Sequence, residues 1–113
     1  MGRFHPPDHS LGDANTIGGY RAVHARPAAF EGSDGRSYSV EIVTAETGDR
    51  DRPIGAYLLF VRWSAGDQPV LEGHVESDFL ARGTSEEDVI RQIGGMPLSA
   101  ARETLRSLLA TRS

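Results

Sequence analysis

The longest apolar run in the chain is residues 53–64, Pro-Ile-Gly-Ala-Tyr-Leu-Leu-Phe-Val-Arg-Trp-Ser. Successive strand residues point to opposite faces of a sheet. Tyr57, Leu59, Val61 and Trp63 therefore share one face, and Ala56, Leu58 and Phe60 share the other. A half-buried strand alternates apolar with polar, whereas this one is apolar on both sides. It is expected inside a sheet, with a cover on each face. Residues 37–46 read as an antiparallel neighbour, with Tyr38, Val40 and Ile42 on one side and Ser39, Glu41 and Val43 on the other. After a short turn at 65–68, residues 69–79 read as the return strand of a hairpin. Pro69 suits its start, and Gly73 marks a bulge or a close contact.

Upstream, residues 20–25 suggest a short first strand that ends at Arg26-Pro27. Residues 27–36 read as a loop anchored by Phe30, with Gly32-Ser33-Asp34-Gly35 as turn chemistry. Residues 1–19 contain Pro6-Pro7 and few apolar side chains, and are expected to form a flexible tail. Residues 20–113 are then one domain.

Past residue 80 the period changes from two to that of a helix. Thr84-Ser85-Glu86-Glu87 is a capping box, and Glu86, Glu87 and Asp88 suit the positive end of a helix dipole. Val89, Ile90 and Ile93 form the buried side, and Gly94-Gly95 ends the helix. Pro97 opens a second helix, in which Leu98, Ala101, Leu105, Leu108 and Leu109 make one apolar stripe. The predicted architecture is α+β: an antiparallel meander of three or four strands, followed by two C-terminal helices packed on one face. Two short helices cover one face of the sheet and leave the cover of the other open.

Composition narrows the function classes. The chain has 113 residues, no cysteine and a formal net charge of -4. Disulfides, thiolate metal sites and a cysteine nucleophile are excluded. The acidic balance argues against nucleic acid as a partner. All 12 basic residues are arginine, which excludes Schiff-base and P-loop lysines and suggests a bacterial genome of high G+C content. No stretch reaches the roughly 20 apolar residues of a membrane span. The first residues lack a signal-peptide core, so a cytoplasmic location is expected.

The residues best suited to chemistry are Glu72, His74 and Glu76. On a regular strand they share a face, and a carboxylate–imidazole–carboxylate row suits metal binding or proton transfer. One ion is hard to hold from one straight strand, so His24 and Arg62 are candidates to complete such a site. The plainer reading is a solvated strand whose charges discourage edge pairing. His5, Asp8, His9 and Asp13 form a second cluster, in a stretch where Pro6-Pro7 disfavours a helix. Neither glycine pair has phosphate-loop spacing, and no nucleophile elbow is present. No metal or other cofactor is expected. The leading expectation is a non-catalytic interaction or regulatory module that forms a homodimer through Tyr57, Leu59, Val61 and Trp63. The alternatives are a small enzyme or metal-binding protein using Glu72, His74 and Glu76, and a carrier of a small apolar ligand in a pocket lined by Tyr57, Phe60 or Trp63.

Overall fold

A computed structural model describes residues 9–111. The architecture is α+β: an antiparallel sheet of five strands with the helices gathered on one face. The strands are β1 (Ala29–Glu31), β2 (Ser37–Glu46), β3 (Ile54–Trp63), β4 (Leu71–Glu76) and β5 (Ala81–Gly83). The helices are α1 (Ile17–His24), α2 (Glu86–Gly94) and α3 (Leu98–Thr111). The strand order is β1-β2-β3-β4. β2 pairs with the whole length of β3, so β4 and β5 share the other edge of β3, with β4 along residues 59–63 and β5 along 54–56.

The two-faced β3 sits at the centre, as its pattern predicts. Ala56, Leu58 and Phe60 are fully buried, and register with Thr44, Ile42 and Val40 of β2 on the helix-covered face. Val89 and Ile93 of α2, and Ala101 and Leu105 of α3, join them in one core cluster. Leu98, Leu108 and Leu109 complete the stripe of α3 at its half-buried margin. Phe30 is also buried here. It registers with Tyr38, and the Arg102 guanidinium lies 5.5 Å from its ring centre. The segment around Phe30 is therefore a short strand rather than a loop, and it does not cover the second face.

Residues 20–25 are the main correction to the sequence reading, because they are helical. The Thr16 hydroxyl caps α1 by accepting from the Gly19 amide at 3.0 Å. Ile17, Tyr20 and Val23 then recur at helical spacing, with Ile17 and Val23 buried. The helix ends at Ala25, which takes the left-handed conformation at φ 55° just before Arg26-Pro27. Part of the stretch read as a tail is consequently docked. Ile17 is in the core, and the Asn15 carbonyl accepts from the Leu98 amide at 2.8 Å. Residues 1–8 of that stretch, with His5 and Asp8, lie outside the described residues.

Gly18 is where α1 meets α2. A Cβ there would lie 3.1 Å from the Gly94 backbone, so the bare Gly18 backbone sets how closely the helices approach. At the start of α2 the cap is Ser85 rather than Thr84. Its hydroxyl accepts from the Asp88 amide at 3.1 Å, while the Asp88 carboxylate accepts from Arg91 and Gln92, so the cap is a single N-cap bond one residue along from the expected box.

Candidate functional site

The face of β3 away from the helices carries Tyr57, Leu59, Val61 and Trp63, all half-buried. Their cross-strand neighbours follow from register. Tyr57 lies beside Val43, Leu59 between Glu41 and Glu76, and Val61 between Ser39 and His74. The face is an apolar row with polar flanks. Trp63 is oriented by its indole N–H, which donates to the Ser39 hydroxyl at 3.0 Å.

One end of the row is covered locally. Between β4 and β5 the chain leaves the edge of β3 at residues 78–79, between the Ser77 and Leu80 amides, which still donate to the Leu58 and Ala56 carbonyls at 3.0 and 2.8 Å. The Ser77 hydroxyl replaces the missing backbone acceptor, taking the Leu58 amide at 3.0 Å. Phe79 then folds over Gly55, where a Cβ would fall 2.4 Å from its ring. It meets Tyr57 edge-on at 6.0 Å, with the Arg82 guanidinium 5.6 Å from its own ring centre. Phe79, expected as the last residue of a strand over 69–79, lies beyond β4, which ends at Glu76, and covers this end of the face instead. A glycine within an otherwise apolar strand, opposite a Phe in a polar break, is the signal that points to it.

Glu72, His74 and Glu76 do not share a face. Arg62 registers with Gly73 and Trp63 with Leu71, so Glu72 is the extra residue of a β-bulge. Gly73 makes the bulge possible at φ 152°. His74 and Glu76 stay in register with the open face. Glu72 instead reaches the cluster formed by Asp34, Arg36, Tyr38 and Arg62. Its Oε1 accepts from Arg36 Nε at 3.0 Å and lies 3.4 Å from Arg62 Nε. Asp34 Oδ2 accepts from the Tyr38 hydroxyl at 2.7 Å and stands 3.5 Å from Arg62 Nε. The Arg62 Nε atom is buried between the two carboxylates, paired by charge without a hydrogen bond. Burial works to raise the Asp34 pKa. The Tyr38 hydroxyl, the Arg36 amide and the Arg62 guanidinium outweigh it and hold that carboxyl below its ordinary value.

Asp34, Tyr38, Arg62 and Glu72 of this cluster line a cavity of about 610 Å³ together with His74 and Leu109. Two arginines balance two carboxylates, and every acid already faces a cation or a donor. The arrangement ties the 32–35 turn to the bulge of β4. His24 lies elsewhere, with its ring 4.3 Å from Tyr20 and 6.1 Å from His9. Among the described residues no three His, Asp or Glu side chains converge as a metal site would require. Tyr57, Phe60 and Trp63 share no pocket either, because Phe60 faces the helices and the other two face away.

No helix among the described residues is long and apolar enough to cross a membrane. No protein-family model, no curated protein and no solved structure matches the chain.

Proposed function

We propose that the protein is a non-catalytic interaction module that self-associates through the open face of its sheet. The carrying observation is the row Tyr57, Leu59, Val61 and Trp63, apolar along the central strand and uncovered by any described helix. Contiguous apolar surface of this kind on a folded domain marks a contact site. The row is flanked by Ser39, Glu41, His74 and Glu76, the pattern of an apolar centre within a polar rim. A second copy presents the same row and the same rim, and two-fold association is the commonest way to bury such a surface. The acidic net charge keeps nucleic acid off the list of partners.

Sedimentation equilibrium at micromolar concentration tests the reading. The wild type is expected above its monomer mass of 12.2 kDa. Val61→Glu places a charge in the middle of the row, outside the core, and is expected to lower the mass while the fold is kept. A monomeric wild type, or a Val61→Glu variant of unchanged mass, refutes the proposal.

A further inference from the structure

The sheet has an edge that is left unfinished. β1 pairs with β2 only along residues 37–39, and the Val40 amide donates to the Ala28 carbonyl at 3.0 Å. Beyond that point the chain of β1 has left the edge, through Pro27 and back to α1. β2 runs on to Glu46 with no outer neighbour. Alternate residues of an antiparallel strand aim their backbone groups at the same edge. The amides of Ile42, Thr44 and Glu46 therefore point outward, as that of Val40 does. The Thr47 amide points inward, to the Pro53 carbonyl at 2.9 Å. Among the described residues the three outward amides have no hydrogen-bond partner.

Other edges of the sheet carry protection of the usual kinds. β1 is three residues long, and β4 is bent by its bulge. The free stretch of β2 has neither device. Ile42-Val43-Thr44-Ala45 is β-branched at three of four positions, contains no proline or bulge, and has charges only at its ends, Glu41 and Glu46.

We propose that this edge pairs antiparallel with the same edge of a second copy, about a two-fold axis through Thr44. In that register Thr44 faces Thr44, and Ile42 faces Glu46 of the second copy. The three outward amides of each copy then find carbonyls in the other, which makes six backbone bonds and leaves no outward amide of the stretch unpaired. The length also matches. Opposite Ile42 the second strand has reached Glu46, its last residue, and turns away through Thr47 and Gly48, the latter at φ 82°. The turn comes where Ala28 begins to occupy the edge. Charge is complementary at the same place. Arg21, held to Glu41 at 3.0 Å, lines a pocket of about 270 Å³ beside Ile42, where Glu46 of the second copy arrives. On the open face Val43 meets Ala45 of the second copy.

This edge contact is separate from the face contact proposed above, and the test keeps them apart. In the Val61→Glu background, with the face disabled, the protein is expected to sediment as a dimer. The amides of Ile42, Thr44 and Glu46 are expected to be protected from hydrogen exchange. Adding Thr44→Pro removes the central outward donor without touching the pairing to β3, and is expected to give a monomer with the amides of Ile42 and Glu46 exchanging freely. Glu46→Pro, at the exposed end of the strand, checks the result should Thr44→Pro fail to fold. It is expected to weaken the dimer at least tenfold. A monomeric Val61→Glu protein, fast exchange of the three amides in a dimer, or a dimer insensitive to Glu46→Pro overturns the edge pairing.

Discussion

Gly19→Ala separates two lines of reasoning that predict opposite signs. Gly19 is the third residue of α1, and alanine is a better helix former than glycine by up to about 1 kcal/mol. On propensity alone the substitution stabilises. Packing gives the other sign. A Cβ at Gly19 would lie 1.9 Å from the Asp13 carbonyl oxygen and 2.6 Å from the Thr16 hydroxyl. Both atoms belong to the N-terminal turn of α1. The Thr16 amide and hydroxyl both donate to that carbonyl, at 3.0 and 2.8 Å, and the hydroxyl in turn accepts from Gly19. The new methyl group displaces the turn and breaks the cap together. Overpacking costs about 1–3 kcal/mol, and a lost cap about 0.5–2 kcal/mol. Set against the propensity gain, the net is a destabilisation of about 0.5–4 kcal/mol, or about 2–16 °C in melting temperature for a domain of this size. Gly94→Ala is the control. Its Cβ would sit 3.7 Å from the Gly18 backbone, an ordinary contact, so the propensity gain survives and stability holds or rises. Calorimetry or urea denaturation of the two variants decides the matter. A Gly19→Ala protein as stable as wild type would show that the turn yields freely and that the close approach carries no cost.

Leu105 is 2 % exposed, in the middle of the α3 stripe. Leu105→Ala is expected to cost about 2–5 kcal/mol in urea denaturation, and a cost near that of a surface change would place α3 outside the core. Asp34 provides a pH-dependent term. Its folded pKa lies below the unfolded value, so its contribution is present above the unfolded pKa of about 4 and is lost as pH falls through the folded one. Asp34→Asn is therefore expected to flatten the acid limb of the stability curve. An acid limb of unchanged slope would mean that the Tyr38, Arg36 and Arg62 contacts do not favour the charged form.

The elements legible in the sequence are those whose pattern has a single reading. The two apolar faces of β3 fit only an interior strand, and the stripe Leu98, Ala101, Leu105 repeats at helical spacing. α1 was missed because its strongest evidence runs against propensity. Gly18 and Gly19 lower helix preference, and the reasons for them, the Gly94 backbone and the Asp13 carbonyl, are distant or non-helical neighbours. β5 is three residues, Ala-Arg-Gly, too short for any period. At residues 84 and 85 two hydroxyls stand side by side, and a cap pattern alone does not choose between them. At Glu72 the local pattern misled outright. Gly73 announced a bulge, but a bulge shifts side chains by one position, and the partner strand's register decides where they land. The cluster with Asp34, Arg36, Tyr38 and Arg62 follows from that register and from a turn some 40 positions earlier in the chain.

The two proposed contacts have a geometric relation that neither has alone. A two-fold axis that joins antiparallel edges runs perpendicular to the sheet, so it returns each copy with the same face up. Edge pairing through Thr44 therefore sets two open faces side by side on one surface of a ten-stranded sheet, with Val43 and Ala45 filling the seam. A single copy offers one row on one strand, a small area against the roughly 800 Å² per partner of a stable contact. Two copies joined at the edge offer two rows and the seam between them. The face contact should accordingly depend on the edge contact more than the reverse. Edge bonds form between backbone groups that are already extended and ordered, whereas burial of the face gains with every Å² of apolar surface brought together. Thr44→Pro alone, with the face intact, is then expected to weaken association more than Val61→Glu does in the wild-type edge. Sedimentation of the two single variants across one concentration series compares them directly. A Thr44→Pro protein that associates more tightly than Val61→Glu reverses the order and makes the face the primary contact.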